Sequence, residues 1–343
     1  MPGLDAPALP AAGRGTAALD RRLSVAPMLD WTDRHCRFFH RLIAPRALLY
    51  TEMVTTGALL HGDRGRFLGH DAREHPLALQ LGGSDPDELA ACAALAEEAG
   101  FAEVNLNCGC PSERVQRGSF GACLMREPAL VAACVAAMRR ATGLPVTVKC
   151  RIGVDDVEEM PFLSAFIDGV AAAGCRSFIV HARKAWLKGL SPKENREIPP
   201  LRYELVHALK ARAPELEIVL NGGLRQIEPA LAHLPRLDGL MIGREAYENP
   251  MALRAFDAAI FGPLPPLSRI EVVEAMRAYV DRQVDAGVPV KSITRHMLGL
   301  FNGLPGARAW RRHLSTHAID PEATSAVLMA AAAHVEPALK LAA

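Results

Sequence analysis

The sequence predicts an α/β fold, a (β/α)8 TIM barrel followed by a small all-α C-terminal domain, and three observations carry that prediction. Eight short apolar runs recur between residues 24 and 243, each followed by a stretch with helical spacing. Strands that alternate with helices pair in parallel, because every crossover helix buries its apolar face on the sheet. Eight such units suit a closed barrel, whereas an open doubly wound sheet usually stops sooner. The pattern then ends near Phe261, and only helical periodicity follows.

The runs are Ser24–Met28, Ala47–Met53, Leu77–Gly82, Glu103–Asn107, Pro145–Arg151, Ser177–Ala182, Glu217–Gly222 and Gly239–Gly243. After the third, Asp85 reads as an N-cap, Pro86 as the first helical residue and Gly100 as the stop. Gly262-Pro263-Leu264-Pro265-Pro266-Leu267 reads as a linker, since proline blocks regular structure. Ser268-Arg269-Ile270-Glu271 is a capping box that opens a new helix. The expected division is a flexible tail over 1–22, a barrel over 23–261, a linker over 262–267 and a helical domain over 268–343 that leans on the barrel.

With 343 residues, half of them apolar, the chain exceeds the roughly 250 residues of a lone barrel. No apolar run approaches the roughly 20 residues of a membrane-spanning helix. The N-terminal stretch lacks the charged start and apolar core of a signal peptide, so a cytoplasmic location is expected. The eight cysteines sit in apolar or strand-like segments, which suits reduced thiols rather than a disulfide framework. Net charge is only +1, but its distribution is uneven. Residues 287–319 hold no Asp or Glu, yet contain Lys291, Arg295, Arg308, Arg311 and Arg312. Arg183, Lys184, Lys188, Lys193 and Arg196 form a second basic cluster. One cluster alone would read as a solvated face; two beside the expected substrate region suggest a polyanionic partner.

In such barrels the C-terminal strand ends build the active site. Here they carry polar or glycine residues throughout: Ala26-Pro27-Met28, Glu52, Gln80, Asn107 to Pro111, Lys149 to Arg151, His181, Asn221-Gly222-Gly223 and Gly243-Arg244. Gly222, Gly223 and Gly243 allow backbone N–H groups close to an anion and Arg244 adds charge, which makes a phosphate site. Lys149, inside an apolar strand, needs a partner. A structural carboxylate, a Schiff base and the electron-rich edge of a cofactor are all open to it, although Gln80 and His181 suit a planar heterocycle better than an aldehyde. Cys110, between Gly109 and Pro111, falls in a tight turn and is accessible. A single Cys-x-Cys with no matching pair is not a zinc site, so no metal is expected.

The runs Val25–Met28, Tyr50–Met53, Asn105-Leu106-Asn107-Cys108-Gly109-Cys110-Pro111, Phe120–Ala122, Val148–Gly153 and Asn221–Gly223 resemble the tRNA-dihydrouridine synthases. The resemblance extends from about Leu23 to Leu314. Two further runs, Asn195–Pro200 and Pro305–Ser315, are similar to the bacterial A subfamily, which modifies positions 20 and 20a in the tRNA D-loop. The resemblance implies an enzyme that binds FMN, takes reducing power from NADPH (or NADH) and saturates the C5–C6 bond of uridine. It implies that Ala26, Pro27 and Met28 line the flavin ring and that Gln80 and Lys149 hold its pyrimidine edge, where a cation suits a ring that gains negative charge on reduction. His181, Asn221, Gly222, Gly223, Gly243 and Arg244 would serve the ribityl-phosphate end. Hydride at C6 of uracil leaves negative charge at C5, and Cys110 would protonate it as a general acid. Asn107 and Arg151 would read the uracil edge of a base drawn from its stack. Lys193, Arg196, Arg308, Arg311 and Arg312 would contact RNA phosphates. No obligate protein partner is implied. The rivals are an FMN barrel acting on a free pyrimidine such as dihydroorotate, a Schiff-base aldolase and an RNA-binding module. None of the three explains both the Arg-rich helical segment and the strand-end residues.

Overall fold

Aliphatic and β-branched residues fill the eight runs, and each run becomes a strand of one parallel sheet. The computed structural model describes residues 19–335; residues 1–18 of the expected tail and the end of the expected helical domain, 336–343, lie outside the described residues. The strands are β1 (Leu23–Val25), β2 (Leu49–Thr55), β3 (Leu77–Gly82), β4 (Glu103–Cys108), β5 (Val146–Arg151), β6 (Ser177–His181), β7 (Glu217–Asn221) and β8 (Gly239–Ile242). Their order is β1-β8-β7-β6-β5-β4-β3-β2. A parallel Ser24–Leu48 bridge joins the two ends of that order. Val25 N donates to Leu48 O at 2.9 Å and Leu48 N to Leu23 O at 3.0 Å, which closes the cylinder.

Two strands differ from expectation at the mouth by more than one residue. β1 stops at Val25, so Ala26, Pro27 and Met28 lie beyond it; Pro27 has no N–H to continue the ladder. β2 runs on to Thr55, whose side chain then caps the next helix by accepting from Ala58 N. The helix Pro86–Glu98 starts as its punctuation predicts, with Asp85 accepting from Asp87 N and Glu88 N.

Side chains alternate across a strand, so each strand feeds two cores. The outer faces join the surrounding helices in one large apolar cluster. The inner faces give a much smaller plug of Ala26, Leu48, Tyr50, Ala78, Ile179, Val219 and Met241. Gln80, Asn105, Asn107, Thr147, Lys149, His181 and Asn221 share that inner parity. At the floor, Arg21 is buried although it lies within the expected tail. Its Nε donates to Glu103 Oε2 at 2.6 Å and its Nη1 to Glu217 Oε2 at 2.9 Å. Burial alone would depress the Arg21 pKa, yet the two carboxylates outweigh it and the net shift is upward.

The proline-rich connection is irregular, and the capping box Ser268–Glu271 starts the helix Arg269–Asp285. Trp310, on the helix Ala307–His317, is fully buried, and its Nε1 donates to Met297 O at 3.1 Å. The C-terminal helices share the large outer cluster with the barrel helices. They also dock by polar contacts: Arg295 Nη2 and His296 Nε2 reach Asp33 at 2.6 and 3.0 Å, and Tyr279 stacks on Phe38 at 4.0 Å between ring centroids. Asp33 lies below the usual carboxylate range: burial opposes the shift, and His296, Arg295 and the backbone N–H of Cys36 drive it. The acid-free stretch is therefore not one free basic face, since Arg295 and His296 are occupied in holding the helices to the barrel.

Candidate active site

Register sets the mouth residues side by side. Gln80 pairs with Asn105, Asn107 with Lys149, Arg151 with His181, and His181 with Asn221. Lys149 Nζ donates to Asn221 Oδ1 at 3.0 Å, and Asn221 Nδ2 donates to Met241 O at 2.8 Å. Among the described residues no carboxylate pairs with Lys149, so of the alternatives open in the sequence the structural ion pair is not found. Burial pushes its pKa down to about 8 and the Arg151 cation adds to the effect, with Cys150 and Cys110 acting the other way. Burial likewise drives His181 well below the ordinary histidine range, reinforced by Arg151, Lys149, Arg183 and Arg196. His181 is thus neutral and can donate one ring N–H while four cations surround it.

At the β7 end, Gly222 and Gly223 have φ of +108° and +69°. A Cβ on Gly222 would sit 2.5 Å from His181 Cδ2, and one on Gly223 would sit 2.4 Å from Leu201 Cδ1. Glycine is required there by conformation and by space. Gly243 is different: its nearest neighbour would be Ala26 Cβ at 3.9 Å, so the backbone stands open to the mouth and brings β1 and β8 together. Arg244 Nη1 donates to Glu197 Oε1 at 2.6 Å.

Cys110 is half-buried and free. Asn107 Oδ1 accepts from Gly109 N and Cys110 N, each at 3.0 Å, and Cys110 O accepts from Ala122 N at 2.9 Å. The thiol turn is therefore pinned from both sides. Cys108, by contrast, is fully buried among apolar groups, and its pKa rises for that reason first. Cys92, Cys134 and Cys175 are also buried.

Two residues expected to read a base are engaged inside the protein. Asn107 uses both Oδ1 lone pairs on the thiol turn, and its Nδ2 donates to Gln80 Oε1 at 2.8 Å. Arg151 sends Nε to Gly109 O at 3.0 Å and Nη1 to Lys184 O and Asn195 O at 2.9 Å. Both brace the loops around Cys110, a function that strand-end position alone does not reveal. The loop between β6 and the helix Tyr203–Arg212 is held by Asn195, fully buried, whose Oδ1 accepts from Trp186 N at 2.7 Å and whose Nδ2 donates to Trp186 O and Leu190 O. That clamp leaves Lys193 and Arg196 exposed, with Arg196 in the electrostatic field of Cys110 and Arg244.

Arg183 directly follows the sixth strand run and belongs to the second basic cluster, but the sequence assigns it no place in the site. Its Nη1 donates to Glu197 O and Pro199 O, but its buried Nε finds no hydrogen-bond partner among the described residues. A buried unpaired donor in the field of Arg244 suits an anionic ligand. On the outer helix, Ala307, Trp310 and Leu314 face inward. The three-four spacing puts Arg308 and Arg312 on the other side, while Arg311, four residues after Ala307 and three before Leu314, flanks the inward face and is half-buried. Arg308 and Arg312 are exposed, and Arg311 Nη1 donates to Asn302 Oδ1.

Comparison with known proteins agrees with this architecture. Morphinone reductase aligns with a TM-score of 0.52 at 14% identity, covering 75% of this chain and 90% of that one, a likeness of fold. The tRNA-dihydrouridine(20/20a) synthase of Xanthomonas axonopodis pv. citri is 59% identical over 90% of this chain and 93% of its own length. The enzymes of the same name from Vibrio cholerae and Salmonella typhi are 58% and 56% identical, over 92% and 93% of this chain and 96% and 95% of their own lengths. The family described as Dihydrouridine synthase (Dus) matches residues 24–336, and this chain belongs to it.

Proposed function

We propose that this enzyme reduces the C5–C6 bond of uridine to 5,6-dihydrouridine at positions 20 and 20a of tRNA, with FMN as cofactor and NADPH, or NADH, as reductant. The observation that carries the reading is the mouth itself: a thiol on a pinned turn in the field of Lys149, Arg151 and Arg196, with Arg183 close to His181. The acid placed among them, Glu197, is engaged by Arg244. Such an excess of cations fits an anionic cofactor and a polyanionic substrate. The names of the 55–60% identical relatives support the tRNA positions and disfavour a free pyrimidine as substrate.

The residues present fit FMN. Gln80 and Lys149 would hold the pyrimidine edge of its ring, with the backbone of Ala26, Pro27 and Met28 alongside. His181, Asn221, Gly222, Gly223, Gly243 and Arg244 would hold the ribityl-phosphate end, and the unpaired Arg183 Nε joins them. When bound, the flavin supplies hydride to C6 of the uracil. Cys110 Sγ–H gives a proton to C5, where the negative charge develops, and so acts as a general acid. Asn107 fixes the backbone of that turn. Arg151 ties it to the Lys184–Asn195 loop, which presents Lys193 and Arg196 to RNA. Arg308, Arg311 and Arg312 extend the phosphate contacts onto the helical segment, which would make it a tRNA-binding unit beside the 23–261 barrel. A tRNA substrate would suit a cytoplasmic enzyme. Among the described residues no helix is long and apolar enough to cross a membrane.

Two measurements test this. Purified protein should show a flavin spectrum, and tRNA from cells lacking the protein should lack dihydrouridine at positions 20 and 20a. Intact dihydrouridine there would refute the substrate. Cys110→Ala should still bind FMN and accept electrons from NADPH while losing about 10²–10⁴-fold in uridine reduction, the usual worth of a positioned acid; full activity would refute the acid role.

A further inference from the structure

A line of buried polar side chains runs from the floor of the barrel to the turn that carries Cys110, and its direction is imposed from one end. Glu103 is fully buried, with Arg21 Nε on Oε2 at 2.6 Å. A carboxylate paired to a guanidinium can only accept. Its Oε1 takes Tyr50 OH at 2.5 Å and Thr147 Oγ1 at 2.6 Å. Thr147, having donated its one proton to Glu103, meets Asn105 only as an acceptor, and Asn105 Nδ2 lies at 2.8 Å. That turns Asn105 Oδ1 toward Gln80 Nε2 at 2.7 Å. Gln80 Oε1 therefore faces Asn107 Nδ2 at 2.8 Å, and Asn107 Oδ1 is left for the backbone N–H groups of Gly109 and Cys110. An isolated amide can flip with little consequence. Here one flip would set donor against donor and acceptor against acceptor in a buried chain, where unpaired groups are costly.

We propose that Thr147 is a positioning residue for the proton-donor turn: through Asn105, Gln80 and Asn107 it carries the acceptor polarity of Glu103 to the backbone of Cys110 and so fixes where the thiol stands. The proposal rests on the reading of Cys110 as proton donor. It assigns to the barrel floor a function in the chemistry at the opposite end, and it couples the residue expected at the flavin edge, Gln80, to the acid.

Thr147→Val removes the hydroxyl at nearly constant shape, and Thr147→Ser keeps it. The test uses the purified holoenzyme. Cys110 alkylation by iodoacetamide is followed by peptide mass, and single-turnover rates are taken for flavin reduction by NADPH and for tRNA reduction. Thr147→Val should change the Cys110 alkylation rate several-fold and slow tRNA reduction by about 10–100-fold, as a small misplacement does. Flavin reduction, which involves Gln80 but not Cys110, should fall clearly less than tRNA reduction, and Thr147→Ser should recover both lost quantities. Unchanged alkylation in Thr147→Val overturns the proposal. So does a Thr147→Val loss that falls equally on both half-reactions or that Thr147→Ser does not recover, since that pattern is general destabilisation. If Cys110→Ala keeps full tRNA reduction, the acid reading fails by itself, and the alkylation series still decides whether the relay sets the turn.

Discussion

The two ends of the barrel handle charge in opposite ways. At the floor, Arg21 meets Glu103 and Glu217, while Tyr50 and Thr147 complete the carboxylate. At the mouth, among the described residues, Lys149 hydrogen-bonds only the neutral Asn221, Arg183 has a buried N–H without a partner, and His181 is held neutral by its surroundings. Both ends are built from the same inner-facing strand positions. A closed charge set has nothing left to offer a ligand and serves the fold. An open one leaves its favourable interactions to be completed by what binds.

The comparison predicts opposite outcomes for removing a cation at each end, and the floor gives the largest effect. Arg21→Met strands a fully buried carboxylate, which costs roughly 3–5 kcal/mol when one member of a buried pair is lost. Urea unfolding should show the midpoint falling with little change in slope. A loss under about 1 kcal/mol would mean that Tyr50 and Thr147 suffice for Glu103, and the floor would not be the closed set described here.

Much of the mouth was legible in the sequence because its position is local information. Strand ends follow from short apolar runs, and the Gly222-Gly223 and Gly109-Cys110-Pro111 turns need residue types that betray them. The floor was not legible: Arg21 and Glu103 are 82 positions apart, and Arg21 reads as part of a tail until the barrel closes over it. Asn107 and Arg151 stand at strand ends in the sequence and at the mouth in the fold, but strand position says nothing of what a side chain bonds. The partners of Arg151, Gly109 O, Lys184 O and Asn195 O, are backbone groups that no residue pattern marks, and Asn107 reaches Gln80 on another strand. Docking of the helical segment through Asp33 and His296, 263 positions apart, is hidden for the same reason.

The open end should extend over the outer surface if the exposed arginines serve RNA. Arg308→Ala with Arg312→Ala should weaken tRNA binding by roughly 10–100-fold at moderate salt and lower the salt slope by about 2, near 1 for each phosphate contact. Flavin content should not change, because both side chains lie on the exposed face of the helix Ala307–His317. A salt slope equal to that of the wild type would confine the polyanion site to the mouth and its loop.

The smallest predicted effect has the most informative sign. Burial, and then Arg151, lowers Lys149 to about 8 from the ordinary 10.5. In the cofactor-free protein the native state therefore sheds this proton before the unfolded chain does. Between about pH 8 and 10.5 the unfolded state binds more protons, so this group makes stability rise with pH, and below pH 8 the buried cation is a full penalty. Lys149→Met removes that penalty, so at pH 7 the cofactor-free variant should be more stable than wild type by roughly 1 kcal/mol, discounted for its partial exposure. The difference should shrink toward pH 10. In the presence of FMN the order should reverse, because the wild type gains a ligand-linked increment that the variant, with weakened binding, lacks. Thermal melts of both proteins at pH 7 and pH 10, with and without FMN, read all four values. Destabilisation of the cofactor-free variant at pH 7 would show that Lys149 belongs with Arg21, as a cation already satisfied by the fold.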